Sequence, residues 1–227
     1  MKVACLGLGR MGWHIAGHLA DHGDAHDLAV FDVVDGLTGR WAEEYNGTEA
    51  DSVESAVTGA EFIVTSLPSD QELTEVAKEV LPAIAEGAIW IDHSTTSARI
   101  ACELGDDISA AGGQFLDGPV SGGVDGARRG VLSVMVGGDE SAFARVEPLV
   151  EIYASRVRHM GPVGAGQLTK MTNQICVVGL CQALAEGLDF ATRAGLEVEN
   201  VVEAMLQGSS TSWQMENRAD KMLAGEY

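Results

Sequence analysis

The chain has 227 residues, 46% of them apolar, and 34 acidic against 14 basic side chains give it a formal charge of −20. That charge repels a phosphate backbone and argues against a nucleic-acid partner, and no continuous apolar run reaches the ~18–20 residues of a membrane span. The first residues, "MKVACLGLGRMG", enter a strand directly without the build of a signal peptide, so a cytoplasmic enzyme or binding protein is expected.

In chain order, "KVACL" reads as a buried strand, and "GRMGWHIAGHLADHG" places Met11, Ile15 and Leu19 on one helical face. Strands follow at "LAVFD" and "EFIVTSLP", then a helix over 70–80, the strand "AIWID" and a helix over 96–111. "FLDGP", "VLSVMVGG" and "RVRHMG" add three short strands, with a helix over 139–150. Strands alternating with helices predict an α/β fold with a Rossmann-type, doubly wound parallel sheet. From Ala165 to Arg193 the pattern is one long helix, followed by helical segments over 197–207 and 211–223. The division expected is a dinucleotide-binding domain over 1–162 and an all-helical part over 163–227.

The loop after the first strand, Gly7, Leu8, Gly9, Arg10, Met11 and Gly12, carries the GxGxxG spacing at the opening of a helix. Its glycines allow a tight turn, close approach to a pyrophosphate and close helix–strand packing. Asp32, twenty residues past Gly12, closes the second strand, where a carboxylate accepts from both ribose hydroxyls and repels a 2′-phosphate. Val33 and Val34 follow without a cation, so NAD is expected rather than NADP.

His14, His18, His22 and His26 recur every four residues, a spacing that can chelate a metal. Met11, Ile15 and Leu19 take the buried face, so the histidines are read as solvated, with the helix ending near Gly23. The four cysteines form no CxxC pair, and no metal site is expected.

"DGPVSGG" leaves a strand and ends in Ser121, Gly122 and Gly123, whose amides and hydroxyl form a nest suited to a carboxylate. In "GPVGAGQLTKMTNQ", Lys170 is one of only four lysines, and Asn173 lies one turn on along the same helix face. A glycine at 166, one turn before Lys170, is read as room for the nicotinamide ring.

Together "GLGRMG", "DGPVSGG", "IDHSTTSA" and "GPVGAGQLTKMTNQ" resemble the β-hydroxyacid dehydrogenase family, colinearly over the whole chain. The resemblance implies a small hydroxy or oxo acid held by Ser121, Gly122 and Gly123. It implies Lys170 as the acid–base residue with Asn173 beside it, and Leu67, Pro68 and Thr95 along the cofactor. It also implies a helical domain about twice as long, with a Lys-Asp-Leu segment that this sequence lacks. Ala98 stands where the family has proline. An apolar long helix beside a short helical region predicts a homo-oligomer, dimer or tetramer. The alternative is a non-catalytic cofactor-binding or scaffold protein derived from such a dehydrogenase.

Overall fold

Strand β1 (Lys2–Leu6) sends Val3 and Cys5 into one hydrophobic core and Ala4 and Leu6 into another. A strand covered by helices on both faces reads as a continuous apolar run, which explains the missing alternation in the sequence. In a computed structural model that describes residues 1–22 and 27–226, the chain continues through α1 (Gly12–Asp21), β2 (Asp27–Phe31), α2 (Leu37–Glu44), β3 (Thr48–Glu49) and α3 (Val53–Val57). Next come β4 (Phe62–Thr65), α4 (Asp70–Val80), β5 (Ile89–Asp92), α5 (Ala98–Ala110), β6 (Gln114–Asp117) and β7 (Val120–Ser121). The sheet is completed by α6 (Gly123–Arg128), β8 (Leu132–Gly137), α7 (Glu140–Val150) and β9 (Ala154–Gly161). Three helices follow: α8 (Ala165–Arg193), α9 (Val198–Leu206) and α10 (Trp213–Ala224).

The strands run in the order β3-β2-β1-β4-β5-β6-β8-β7, with β9 beside β8. β1 pairs with β2 on one side and β4 on the other, in parallel, so the winding reverses between β1 and β4. Ligands of such sheets bind beyond the strand ends at that reversal. The sheet is not wholly parallel, however: β8 is antiparallel to β6 and to β7. The connection from β6 to β8 holds only β7 and the six-residue α6, too little for the helical crossover that a parallel return needs. With α7 as its crossover, β9 returns parallel to β8.

The chain divides into two compact units, Met1–Lys170 and Met171–Tyr227. In the second, Leu184, Leu188 and Ala191 recur at helical spacing on α8 and pack with Val198, Val202, Met215 and Ala219. Ile175, Val178, Leu180 and Phe190 of α8 are exposed.

α8 corrects one reading of the sequence. Its 29 residues include an 18-residue window of mean hydropathy 1.4, so by length and composition it could cross a membrane. Glycines, threonines and glutamines interrupt its apolar residues without lowering that average far. Gln167, Lys170, Asn173 and Gln174 would be costly in hydrocarbon, and the first turn of α8 is instead bonded to the sheet, as described below. Gly23 and His26, where the first helix was expected to end and the histidine ladder to continue, lie outside the described residues.

Candidate active site

Backbone bonds lead the chain out of four neighbouring strands at one end of the sheet. Gly7 N donates to Phe31 O, Ser66 N to Leu6 O, His93 N to Thr65 O and Gly118 N to Asp92 O. The loops after β1, β4, β5 and β6 therefore start side by side.

The three loop glycines are glycine for different reasons. Gly7 has φ +90°, and a Cβ there would fall on the Ser66 carbonyl; a Cβ on Gly12 would fall on the Gly7 carbonyl. Their lack of a side chain serves the protein's own packing. Around Gly9 nothing lies within 4 Å of an added Cβ, so that space is open to a ligand. Met11 caps α1 without any side-chain bond, and the Trp13 and His14 amides turn back onto the Gly9 and Met11 carbonyls, so the open backbone at Gly9 is what an anion at this helix end would meet. Asp32 is aimed by two backbone amides: Leu8 N donates to Oδ2 at 2.6 Å and Val34 N to Oδ1 at 2.8 Å. Val33 and Val34 are exposed. This combination fits a dinucleotide: open backbone for the pyrophosphate and a fixed carboxylate for the ribose.

The histidine face is corrected at His18. Its Nε2 lies 2.9 Å from Ala127 O and 3.2 Å from Arg128 O, so it serves the carbonyl end of α6 rather than solvent.

Beyond β4 and β5 lies a buried polar cluster. Asp92 Oδ1 accepts from Thr65 Oγ1 at 2.6 Å and from Ser94 Oγ at 2.5 Å, and Trp90 Nε1 donates to Thr65 Oγ1. Ser94 Oγ also accepts from Leu67 N at 2.8 Å, tying the Leu67–Pro68 turn to the loop after β5. Pro68 and Thr95 are exposed at this end of the sheet. His93 is buried between Gly118 O, 2.6 Å from Nδ1, and the Tyr153 hydroxyl, 2.8 Å from Nε2.

Burial pushes the Asp92 carboxyl up to about 6 and pulls the His93 imidazole down to about 4. The two oppose each other in stability. A raised acid contributes stability at low pH that is lost as pH rises toward 6. A depressed histidine contributes stability that is lost as pH falls from its unfolded value toward 4. Each difference corresponds to about 3 kcal/mol. Relative to wild type, Asp92→Asn should gain stability as pH rises from 4 to 6, and His93→Gln should lose it. Urea midpoints across that pH range test this; parallel curves for both variants and wild type would refute it.

Asp117, at the end of β6, accepts from Gly164 N at 2.7 Å and Gln167 N at 2.8 Å. It thereby holds the first turn of α8 at the root of the Gly118–Gly123 loop, while burial raises its carboxyl above the usual range. Gly166 is packed here: an added Cβ would meet the carbonyls of Asp117 and Met135. Its absent side chain thus serves helix–sheet packing, not room for a nicotinamide ring, which corrects the reading from sequence.

Lys170, one turn beyond Gln167, is 9% exposed. Among the described residues no ion pair involves it, and burial lowers its ammonium below the usual lysine value. Asn173 lies in the second unit, its amide donating to Gln174 Oε1 at 3.0 Å. In the segment after β6, Ser121 pairs with Ser133 of β8. Gly122 (φ +132°) and Gly123 (φ +63°) hold conformations that favour glycine, and nothing lies within 4 Å of a Cβ added to Gly123.

Sequence reasoning missed Thr65, Asp92, Asp117 and Gln167. The available signal was an acid closing each of two apolar strands, "IWID" and "QFLD", where a parallel sheet offers no solvent.

The fold and its glycine loop define a dinucleotide-binding protein, and the comparisons with known proteins make it a nicotinamide-dependent oxidoreductase. Residues 2–161 match the family described as the NAD binding domain of 6-phosphogluconate dehydrogenase. Residues 164–227 match the NAD-binding domain of NADP-dependent 3-hydroxyisobutyrate dehydrogenase. The chain is 44% identical to an uncharacterized oxidoreductase of Shewanella frigidimarina, covering 100% of this chain and 78% of that protein. It is 37% identical to 2-hydroxy-3-oxopropionate reductase of Escherichia coli, over 98% of this chain and 76% of the relative. The structure of Mycobacterium tuberculosis 3-hydroxyisobutyrate dehydrogenase with L-serine superposes with a TM-score of 0.90 at 31% identity, over 96% of this chain and 74% of that one. The chain belongs to the β-hydroxyacid dehydrogenase family.

Proposed function

We propose that the protein interconverts a small 3-hydroxy acid and its semialdehyde with NAD(H), Lys170 acting as general acid and base. The observation that carries this reading is the lysine itself: nine-tenths buried, without a counter-ion among the described residues, on a helix bonded to the root of the Gly118–Gly123 loop. Among the described residues no ion-pair partner accounts for the burial of this ammonium, and a bound oxo acid would supply one.

The substrate carboxylate is held by the amides and hydroxyl of Ser121, Gly122 and Gly123. The loop Gly7–Gly12 takes the pyrophosphate, Asp32 the ribose, and Leu67, Pro68 and Thr95 line the nicotinamide end. When bound, the cofactor supplies or accepts the hydride at the carbinol carbon. Lys170 donates a hydrogen bond to the carbonyl oxygen, stabilises the charge that grows there and delivers the proton. In oxidation the neutral amine removes that proton, and its lowered affinity for the proton favours this role. Asn173 orients the same oxygen. Residues 1–162 form the cofactor domain and 163–227 the helical part. Copies associate as a dimer or tetramer through the apolar residues of α8, in the cytoplasm.

NADH oxidation assayed with succinic, methylmalonic and tartronic semialdehydes and glyoxylate tests the reading. Turnover of at least one supports it, and inertness toward all refutes it. Coenzyme choice rests on Asp32, since the matched families name both NAD and NADP. Asp32→Ser with Val33→Arg should weaken NADH and strengthen NADPH on the order of tenfold each, by removing repulsion and adding a phosphate partner. Wild-type protein that binds NADPH as tightly as NADH in a fluorescence titration would overturn this role.

A further inference from the structure

Gln167 stands in the stretch that carries Lys170, is 0% exposed, and bonds through its side-chain amide and its backbone N–H to the segments that follow β5 and β6. Its Oε1 accepts from Thr96 N at 3.1 Å, its Nε2 donates to Ser94 O at 2.8 Å, and its backbone N–H donates to Asp117 Oδ2 at 2.8 Å. Ser94 and Thr96 flank Thr95, and Asp117 opens the substrate loop. One side chain thus joins the loop after β5, the loop after β6 and the helix of Lys170. The link to Thr96 has no substitute: its buried hydroxyl has no partner among the described residues, so its N–H bond to Gln167 is what ties that residue to α8.

We propose that Gln167 is a positioning residue for the reaction, setting the spacing between the Thr95 segment and Lys170. This rests on the reading of Lys170 as the acid–base group. Lys170 follows Gln167 by three residues, about one helical turn, so a rotation of α8 that frees the amide also swings the ammonium. A primary amide suits the place because it accepts and donates in opposite directions from one planar group. A carboxylate would face the Ser94 carbonyl without a proton, and an apolar side chain would leave both backbone groups unpaired. Displacement of a catalytic group by about 1 Å costs on the order of 10²-fold in rate.

The experiment compares Gln167→Met, Gln167→Glu and Lys170→Ala with wild type. It reads thermal unfolding, the NADH dissociation constant, kcat, KM and the pH dependence of kcat. Gln167→Met should bind NADH within about threefold of wild type while kcat falls about 10- to 100-fold, and the pH midpoint of oxidation should rise as the amine loses its buried position. In Gln167→Glu the added carboxyl sits in a network with Asp92 and Asp117, on the helix of Lys170. Its protonation at low pH restores a donor toward Ser94 O, so its rate relative to wild type should recover as pH falls. If Lys170→Ala keeps the wild-type rate and pH profile, the reading of Lys170 fails and this proposal with it. If Lys170→Ala is slow but Gln167→Met keeps wild-type kcat and midpoint, only the positioning role fails. Loss of kcat in step with lost folding or lost NADH binding, or the failure of both Gln167 variants to fold, makes Gln167 structural and overturns the proposal.

Discussion

Lys170→Ala should fold, bind NADH as wild type does, and lose about 10²–10⁴-fold in the chemical step, the range for removing a positioned acid and its charge. Folding should survive because, among the described residues, the side chain has no ion-pair partner to strand. KM should change less than kcat, since the nest at Ser121, Gly122 and Gly123 is intact. Lys170→Arg should not restore the rate, because a guanidinium stays protonated and cannot act as base in oxidation. Wild-type oxidation should rise with pH, as the amine deprotonates below the usual lysine range; the alanine variant should lack that rise. An alanine variant retaining more than about a tenth of wild-type kcat, with the rise intact, would remove Lys170 from the chemistry.

Gly123→Ala should raise KM for the oxo acid about 10²-fold with NADH affinity unchanged. The added methyl would meet no protein atom within 4 Å, so on the proposed reading it would take up space meant for the substrate carboxylate. Displacing a carboxylate from charge-assisted amide bonds costs about 3 kcal/mol, which corresponds to that factor. The φ of +63° also strains alanine by about 1–2 kcal/mol, so thermal unfolding is read beside KM. Valine at Gly122 would be a poorer probe, because φ +132° and the nearby Leu132 side chain oppose any side chain there. Unchanged KM in a folded Gly123→Ala protein would place the carboxylate elsewhere.

Much of the architecture was legible because strong local patterns carried it. The apolar strands, the 3.6-residue periods of α4, α5 and α7, and the unbroken helical pattern over Ala165–Arg193 all appear in the structure. α2 was missed because its eight residues include a glycine and bury only Thr38 and Trp41. The antiparallel turn of β8 was missed because strand direction depends on connection length, not on strand composition. At the site, the glycine spacing revealed the loop but not the division of labour within it. Gly7 and Gly12 answer to the packing of the protein, and Gly9 has no such constraint. Gly166 was misread for the same reason: whether a missing side chain makes room for ligand or for backbone depends on what lies opposite. Asp92, Asp117 and Gln167 are invisible to periodicity, since their significance comes from partners 2 to 73 residues away in sequence.

The bond between Asp117 and the first turn of α8 has a consequence for synthesis. Translation finishes β9 before the amides of Gly164 and Gln167 exist, yet Asp117 is already placed to be buried at the end of β6. A nascent sheet that closed early would bury a carboxylate without its donors, at a cost that disfavours closure. The ribosome must therefore release the chain past Gln167 before the first unit gains its full stability, and by then Lys170 is all but delivered. Completion of the first unit and delivery of Lys170 become one event, so a chain stalled before α8 is left open to chaperones and proteases rather than trapped as a finished but inert sheet.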